Sequence, residues 1–226
     1  FFISIVAIFT AIIIFFSNEP KYEKNDGQDN NQSIGFKQTI IENKKSFAIG
    51  GPGHFIMQFL RQCRHVLIPI WAFSIGLEVE ELGLIQSISA AIDMSLFYPV
   101  GLIMDKYGRK WTSVPSIIIL SISFIFLTYV DSFTGLMLVG LLLGFANGLG
   151  SGAMLTLGSD LSPKTQPGSF LGIWRLFGWT GNSAGGPISG AIAQTLGNSA
   201  SALSVSMIGG IGVIIFSFFL PETLKE

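Results

Sequence analysis

The sequence predicts an all-α integral membrane protein, on the strength of its composition, its apolar segments and its distribution of Lys and Arg. Of the 226 residues, 49% are hydrophobic and 12% are charged, whereas a soluble domain carries about 25% charged residues. Six apolar segments follow a polar stretch, and short connections join them. A bilayer accepts such segments as helices because every backbone hydrogen bond is then made within the segment.

The six apolar segments are long enough, or nearly so, to cross a hydrocarbon core of about 30 Å as helices. Because their connections are short, consecutive helices are expected to be antiparallel neighbours. Residues 1–16 are also apolar, but a helix of that length extends only about 24 Å. We interpret them as the end of a preceding span in a longer protein. The six segments are residues 53–77, 84–104, 115–130, 133–157, 170–196 and 202–220.

The polar stretch, residues 17–52, is predicted to be a cytoplasmic linker with a short helix near residues 34–41. Loops that are rich in Lys and Arg remain in the cytoplasm. With six spans after the linker, ten Lys and Arg residues fall on the linker side and none on the opposite side. The linker and the tail, residues 221–226, are therefore expected to be cytoplasmic, in a protein of the plasma membrane.

Composition also argues against other classes of function. The net charge of −1 gives no basis for binding nucleic acid, and the single cysteine, Cys63, rules out an internal disulfide and a cysteine-based metal site. Residues 181–185 and 148–153 match a hydrolase and a dinucleotide-binding string, but both lie inside predicted spans without the strand that those motifs require. We expect no enzyme, no cofactor and no metal site.

The connection between the second and third spans carries the most specific pattern. Residues 101–110 read Gly-Leu-Ile-Met-Asp-Lys-Tyr-Gly-Arg-Lys. The pattern Gly-x-x-x-Asp-x-x-Gly-Arg-Lys closely resembles the signature loop of the major facilitator superfamily of secondary transporters. The matching residues are Gly101, Asp105, Gly108, Arg109 and Lys110.

Three further stretches resemble the second half of a twelve-helix transporter of that family. Residues 186–190 resemble a Gly-Pro element of its fifth helix, here in the repeat-related eleventh helix, although Ala191 stands at the final Gly. Residues 157–163 resemble the cytoplasmic end of a fourth or tenth helix, and residues 221–223, Pro-Glu-Thr, the sequence after the twelfth. The resemblance implies a six-helix C-terminal bundle at residues 53–220, whose partner is an N-terminal half absent from this sequence.

In that family the signature loop is a cytoplasmic latch. The resemblance implies that Asp105 faces the positive end of a helix in the other half and that Arg109 pairs with Asp160, at the end of helix 10. A carboxylate is stabilised at a helix N-terminus, and a planar guanidinium suits a carboxylate. The alternative is that Lys106, Arg109 and Lys110 serve to fix the topology.

Three basic side chains share one face of the first span, because Arg61, Arg64 and His65 are spaced i, i+3, i+4. An Arg near the centre of a membrane helix costs roughly 2.5–3.5 kcal/mol on insertion scales. These residues are predicted either to line a central cavity and attract an anionic or polar group, or to snorkel toward the cytoplasmic side or pair with acids of other helices. His65 is also a candidate proton site, and Arg175 is predicted to line the cavity or brace the cytoplasmic gate.

Asp93 lies near the middle of the second span. Acidic residues inside the membrane serve in proton relays, so Asp93 is a candidate proton carrier. The alternative is a fixed counter-ion for Arg61, Arg64 or Arg175.

The fourth span carries a stripe of small residues that is predicted to allow close helix packing. The stripe comprises Gly140, Gly144, Gly148 and Gly152. Asn147, on the same span, is a candidate cavity residue.

The resemblance implies transport of a small solute by alternating access, from a site near the midplane between two halves. Protons are the expected coupling ion, and the lipid bilayer is a further partner. The substrate classes left open are those of a drug-type antiporter and of an organic anion or sugar porter. The alternative from another class is a transporter-like membrane receptor or scaffold that binds a ligand without transporting it.

Overall fold

The computed structural model describes residues 36–164 and 167–219. The predicted end of helix 6, residues 17–35 of the linker and the Pro-Glu-Thr tail lie outside these ranges. Within them, the secondary structure is helical, as the sequence predicts. The helices are α1 (Phe36–Glu42), α2 (Lys44–Ser74), α3 (Val79–Ser95), α4 (Phe97–Tyr107), α5 (Lys110–Leu127), α6 (Phe133–Gly150), α7 (Ala153–Leu161), α8 (Pro167–Leu196) and α9 (Asn198–Phe219).

The described residues form a bundle of six long helical segments, because α3 with α4 and α6 with α7 each make one bent segment. Helix α2 packs along α8, α3 packs against α6, and α5 lies between α6 and α9. Helix α9 also contacts α2 and α8. Side chains that are fully buried between these helices include Met57, Leu60, Ile117, Leu120 and Phe216. The predicted all-α membrane bundle is confirmed.

Four of the described segments are long and apolar enough to cross a membrane: Val79–Tyr107, Lys110–Leu127, Phe133–Leu161 and Asn198–Phe218. The other two predicted spans fall in α2 and α8, which have 31 and 30 residues. Helices of that length extend about 45 Å, more than the hydrocarbon core. They are less apolar than the other four over an 18-residue stretch, because α2 carries Arg61 and Arg64 and α8 is rich in Gly, Ser and amide residues.

Helix α2 begins at Lys44, inside the predicted linker, rather than at residue 53. Its Gly-Gly-Pro-Gly stretch, residues 50–53, has low helix propensity, yet it stays helical because its glycines fit under large rings. A Cβ on Gly50 would lie 2.6 Å from the indole of Trp174, and one on Gly53 would lie 2.6 Å from the ring of Phe216. Tertiary packing here overrides the low helix propensity of glycine.

The connection predicted over residues 105–113 is much shorter in the structure. Helix α4 continues to Tyr107 and α5 begins at Lys110, which leaves Gly108 and Arg109 between them. Gly108 has φ +102° and ψ 167°, a conformation that is open to glycine alone. The signature loop is therefore a two-residue corner whose other residues belong to helix ends.

The two bent segments have identifiable causes. The ring of Pro99 excludes the carbonyl of the residue four positions earlier, Ser95, where α3 ends. Helix α6 stops before Gly152, which adopts φ +79°. Gly152 therefore marks an interruption, and its prediction as part of the packing stripe is wrong.

The rest of the stripe packs against α3, as predicted. A Cβ on Gly140 would lie 2.8 Å from Ile85, and one on Gly148 would lie 3.0 Å from the backbone oxygen of Asp93. A Cβ on Gly144 would likewise be too close to Ser89. The hydroxyl of Ser89 donates to the carbonyl of Gly140 at 2.7 Å. These glycines bring α3 and α6 close enough for polar side chains to meet across them.

Candidate functional site

Two arginines of α2 reach across the bundle to the backbone of α6. Nη2 of Arg61 donates to the carbonyl of Asn147 at 3.2 Å, and Nη1 of Arg64 donates to the carbonyl of Leu143 at 3.2 Å. These carbonyls are four residues apart, so one helical turn of α6 accepts both cations. The arginines are thus held by backbone dipoles rather than by the acids that one of the two sequence-based alternatives named.

The carbonyl of Asn147 can accept from Arg61 because Asn147 lies in the last turn of α6, which ends at Gly150. In a continued helix it would accept from the N–H of Ser151, but that N–H bonds to Gly148 instead. The last carbonyls of a helix carry partial negative charge, which favours a cation beside them. The interruption at Gly152 therefore creates the acceptor that holds Arg61.

Asp93 and Asn147 meet where α3 crosses α6. The side-chain amide of Asn147 donates to Oδ2 of Asp93. The other carboxylate oxygen, Oδ1, is buried and has no hydrogen-bond partner among the described residues. The ion pairs found within the described ranges do not include Asp93. Asn147 thus contacts Asp93 through its side chain and Arg61 through its carbonyl.

A cavity of about 270 Å³ opens between α2, α8 and the interruption that separates α6 from α7. On α2 its lining residues are His54, Gln58 and Arg61, which share one face at i, i+4, i+7. On α8 they include Arg175 and Trp179, spaced i, i+4. The remaining lining residues are Gly152, Met154, Leu155, Trp174 and Gly178.

The ring of His54 is fixed against α8. It stacks on Trp174 with centroids 5.0 Å apart, and the Trp174 indole N–H donates to the carbonyl of Met154 at 2.8 Å. Gly178 makes room for the imidazole, since a Cβ there would lie 2.5 Å from its Nε2. None of the sequence patterns singled out His54, Gln58 or Trp179. The helical spacing of His54, Gln58 and Arg61 was a usable signal.

The structure divides the predicted basic trio. Arg61 lines the larger cavity together with Arg175. Arg64 and His65 line a smaller cavity of about 80 Å³ between α2 and α3, next to Gln86. The residues proposed as one face thus line two separate cavities, although Arg61 and Arg64 both donate to backbone carbonyls of α6.

The signature corner ties several helix ends together. Nε of Arg109 lies 2.9 Å from Oδ2 of Asp160 on α7, the partner that the family resemblance implied. Its Nη1 donates to the carbonyl of Met104 at 2.7 Å and lies 3.5 Å from Oδ1 of Asp105. Nζ of Lys110 lies 3.4 Å from the carbonyl of Ser217 on α9. The Asp105 side chain is 78% exposed, so it remains accessible to another partner.

Among the described residues, no group of three or more His, Cys, Asp or Glu side chains is placed to hold a metal ion.

Comparison with known proteins identifies relatives for this architecture. The sequence model of the Major Facilitator Superfamily matches residues 50–226. A hexuronate transporter of Bacillus subtilis is 25% identical over 74% of this chain and 39% of its own length. The multi-drug resistance efflux pump PmrA of Streptococcus pneumoniae is 29% identical over 83% of this chain and 48% of its own length.

A third relative is an MFS-type transporter of Methanocaldococcus jannaschii, 24% identical over 66% of this chain and 39% of its own length. The chain therefore spans less than half the length of the curated relatives it matches. The family match covers the whole described bundle except its first helical turns. The chain belongs to the major facilitator superfamily.

Proposed function

We propose that the complete protein moves a small solute across the plasma membrane by alternating access, and that proton exchange at Asp93 couples to that movement. Membership of a transporter family and relatives named as transporters support the first part. The second part rests on one observation. Asp93 sits in the middle of a span, where one carboxylate oxygen is buried without a hydrogen-bond partner in the described part of the chain, and Asn147 joins it to an arginine of the cavity.

The coupling follows from the balance of charge around α6. Asp93 lies within electrostatic reach of both Arg61 and Arg64. When Asp93 is ionised, its charge offsets part of theirs, and the Asn147 amide is held in a charge-assisted hydrogen bond. When Asp93 takes up a proton, that bond weakens and the cavity becomes more positive. Proton uptake and the arrangement of the cavity are therefore linked.

For gating, we propose that the signature corner is a cytoplasmic latch, with linker and tail in the cytoplasm. The pairing of Arg109 with Asp160 rigidifies the corner within this half. The exposed carboxylate of Asp105 is left to dock on a helix N-terminus of the N-terminal half. Breaking that second contact opens the cytoplasmic side.

The test uses the complete protein in liposomes that contain a pH-sensitive dye. Sugars, organic anions and cationic drugs are added in turn to the wild type, to Asp93→Asn and to Asp131→Asn, a matched control at an exposed loop. We expect a substrate-dependent proton flux that Asp93→Asn abolishes and Asp131→Asn leaves unchanged. Flux retained in Asp93→Asn refutes the coupling role. Ligand binding without flux or counterflow supports the receptor alternative instead.

A further inference from the structure

We propose that the cavity between α2, α8 and the α6–α7 interruption binds a small organic carboxylate, which makes an organic anion the substrate class. This inference rests on the proposed transport function and deepens it. The site would hold the carboxylate between Arg61 and Arg175, with His54 and Gln58 as further polar contacts.

The cavity holds hydrogen-bonding groups that the described residues leave unsatisfied. Arg61 uses one of its five N–H donors in the hydrogen bond to Asn147. Its Nε is buried without a partner in the described ranges. Nδ1 of His54 is likewise buried and unpartnered within those ranges. Burial without a partner is unfavourable for a polar group. Arg61 and His54 both line the cavity, so its polar wall carries hydrogen-bonding capacity that the described residues do not use.

The charge of the cavity selects the sign of the ligand. Two arginines line it, and none of its lining residues is acidic. Arg175 is exposed and forms no ion pair with any described residue. Asp93 accepts from the side-chain amide of Asn147 and is not among the residues that line the cavity. A cleft lined by one sign of charge concentrates ligands of the opposite sign.

The size and the walls of the cavity limit the rest of the ligand. Its volume of about 270 Å³ falls just below the 300–1,000 Å³ that is typical of sites for drug-sized ligands. Trp179, which is 63% exposed, and Leu155 give it an apolar side. Gln58 offers an amide for a hydroxyl or carbonyl group. A compact carboxylate with a ring or short chain fits these walls, and a planar carboxylate suits guanidinium donors.

The experiment measures binding to the purified complete protein by isothermal titration. Each anion is compared with a neutral counterpart: glucuronate with glucose, benzoate with benzyl alcohol, and phenyl phosphate with phenol. Tetraphenylphosphonium serves as the cationic probe. We expect at least one carboxylate to bind at least tenfold more tightly than its neutral counterpart and than the cation. If no carboxylate binds, or if the cation or phosphate ester binds most tightly, the proposal is overturned.

Variants then locate the site. Arg175→Gln should weaken carboxylate binding at least tenfold, whereas Arg175→Lys should retain part of the affinity. Lys164→Gln removes an exposed cation outside the cavity and should leave the affinity unchanged. An unchanged affinity in Arg175→Gln overturns the assignment. Transport of cations without carboxylate binding refutes this inference alone, and carboxylate binding without any transport refutes the transport function alone.

Discussion

The contact of Gly148 with α3 yields the sharpest prediction, because that glycine sets the distance between Asp93 and Asn147. In Gly148→Ala the new Cβ would lie 2.8 Å from Cδ1 of Leu96 and 3.0 Å from the backbone oxygen of Asp93. The leucine can rotate, but the backbone oxygen moves only with its helix. Overpacking of this kind lowers the free energy of unfolding by about 1–3 kcal/mol. Replacing a helical glycine by alanine raises it by about 0.5–1 kcal/mol.

Subtracting the second range from the first leaves a net destabilisation of about 0–2.5 kcal/mol, and we expect about 1–2 kcal/mol of it because the contacted oxygen belongs to the backbone. Gly210→Ala is the matched control, because a Cβ on Gly210 of α9 meets nothing within 4 Å. The assay is the unfolding of the purified complete protein on titration from mild detergent into sodium dodecyl sulfate. The variant should also lose proton coupling as the Asp93–Asn147 hydrogen bond lengthens. Equal stability of the two variants would refute the close-contact reasoning.

Three further predictions concern the signature corner. Asp105→Asn should bias the complete transporter toward the inward-open state, and cysteine labelling that shows unchanged cytoplasmic accessibility would contradict the latch. Arg109→Gln and Asp160→Asn should be non-additive in a double-mutant cycle of unfolding free energies by about 0.5–1 kcal/mol, as for a partly exposed ion pair, and strict additivity would mean that the pair contributes nothing. Gly108→Ala should cost about 1–3 kcal/mol because alanine is strained in that backbone conformation, and a melting temperature equal to wild type would disprove the strain.

The helical bundle could be predicted from sequence because membrane insertion depends mainly on local properties. Apolar length decides whether a segment such as Lys110–Leu127 can cross the bilayer. The helix boundaries were harder to predict, since they depend on contacts with residues that are distant in the sequence. Helix α2 starts at Lys44 because rings from α8 and α9 cover the glycines of its first turns, and nothing local to that stretch reports this packing.

The polar contacts were predicted in part, for a similar reason. The sequence identified Arg61, Asp93 and Asn147 as candidate cavity or coupling residues, and the only protein partners that it offered for Arg61 were acidic side chains. The structure gives Arg61 a backbone carbonyl, because the left-handed conformation of Gly152 ends α6. A glycine at a regular spacing of four residues predicts packing, and a periodic pattern cannot show which glycine adopts positive φ.

Among the six long helical segments, the two least apolar both line the proposed ligand site. Helices α2 and α8 are not among the four segments that are long and apolar enough to cross a membrane. They are also the two helices that contribute the arginines of the larger cavity. A helix that faces a polar solute must carry groups that lipid disfavours, and the bundle tolerates them by supplying backbone acceptors and a space of its own. The position of Arg61 and Arg175 on these two helices, beside a cavity that has no acidic lining residue, therefore supports an anionic ligand between them.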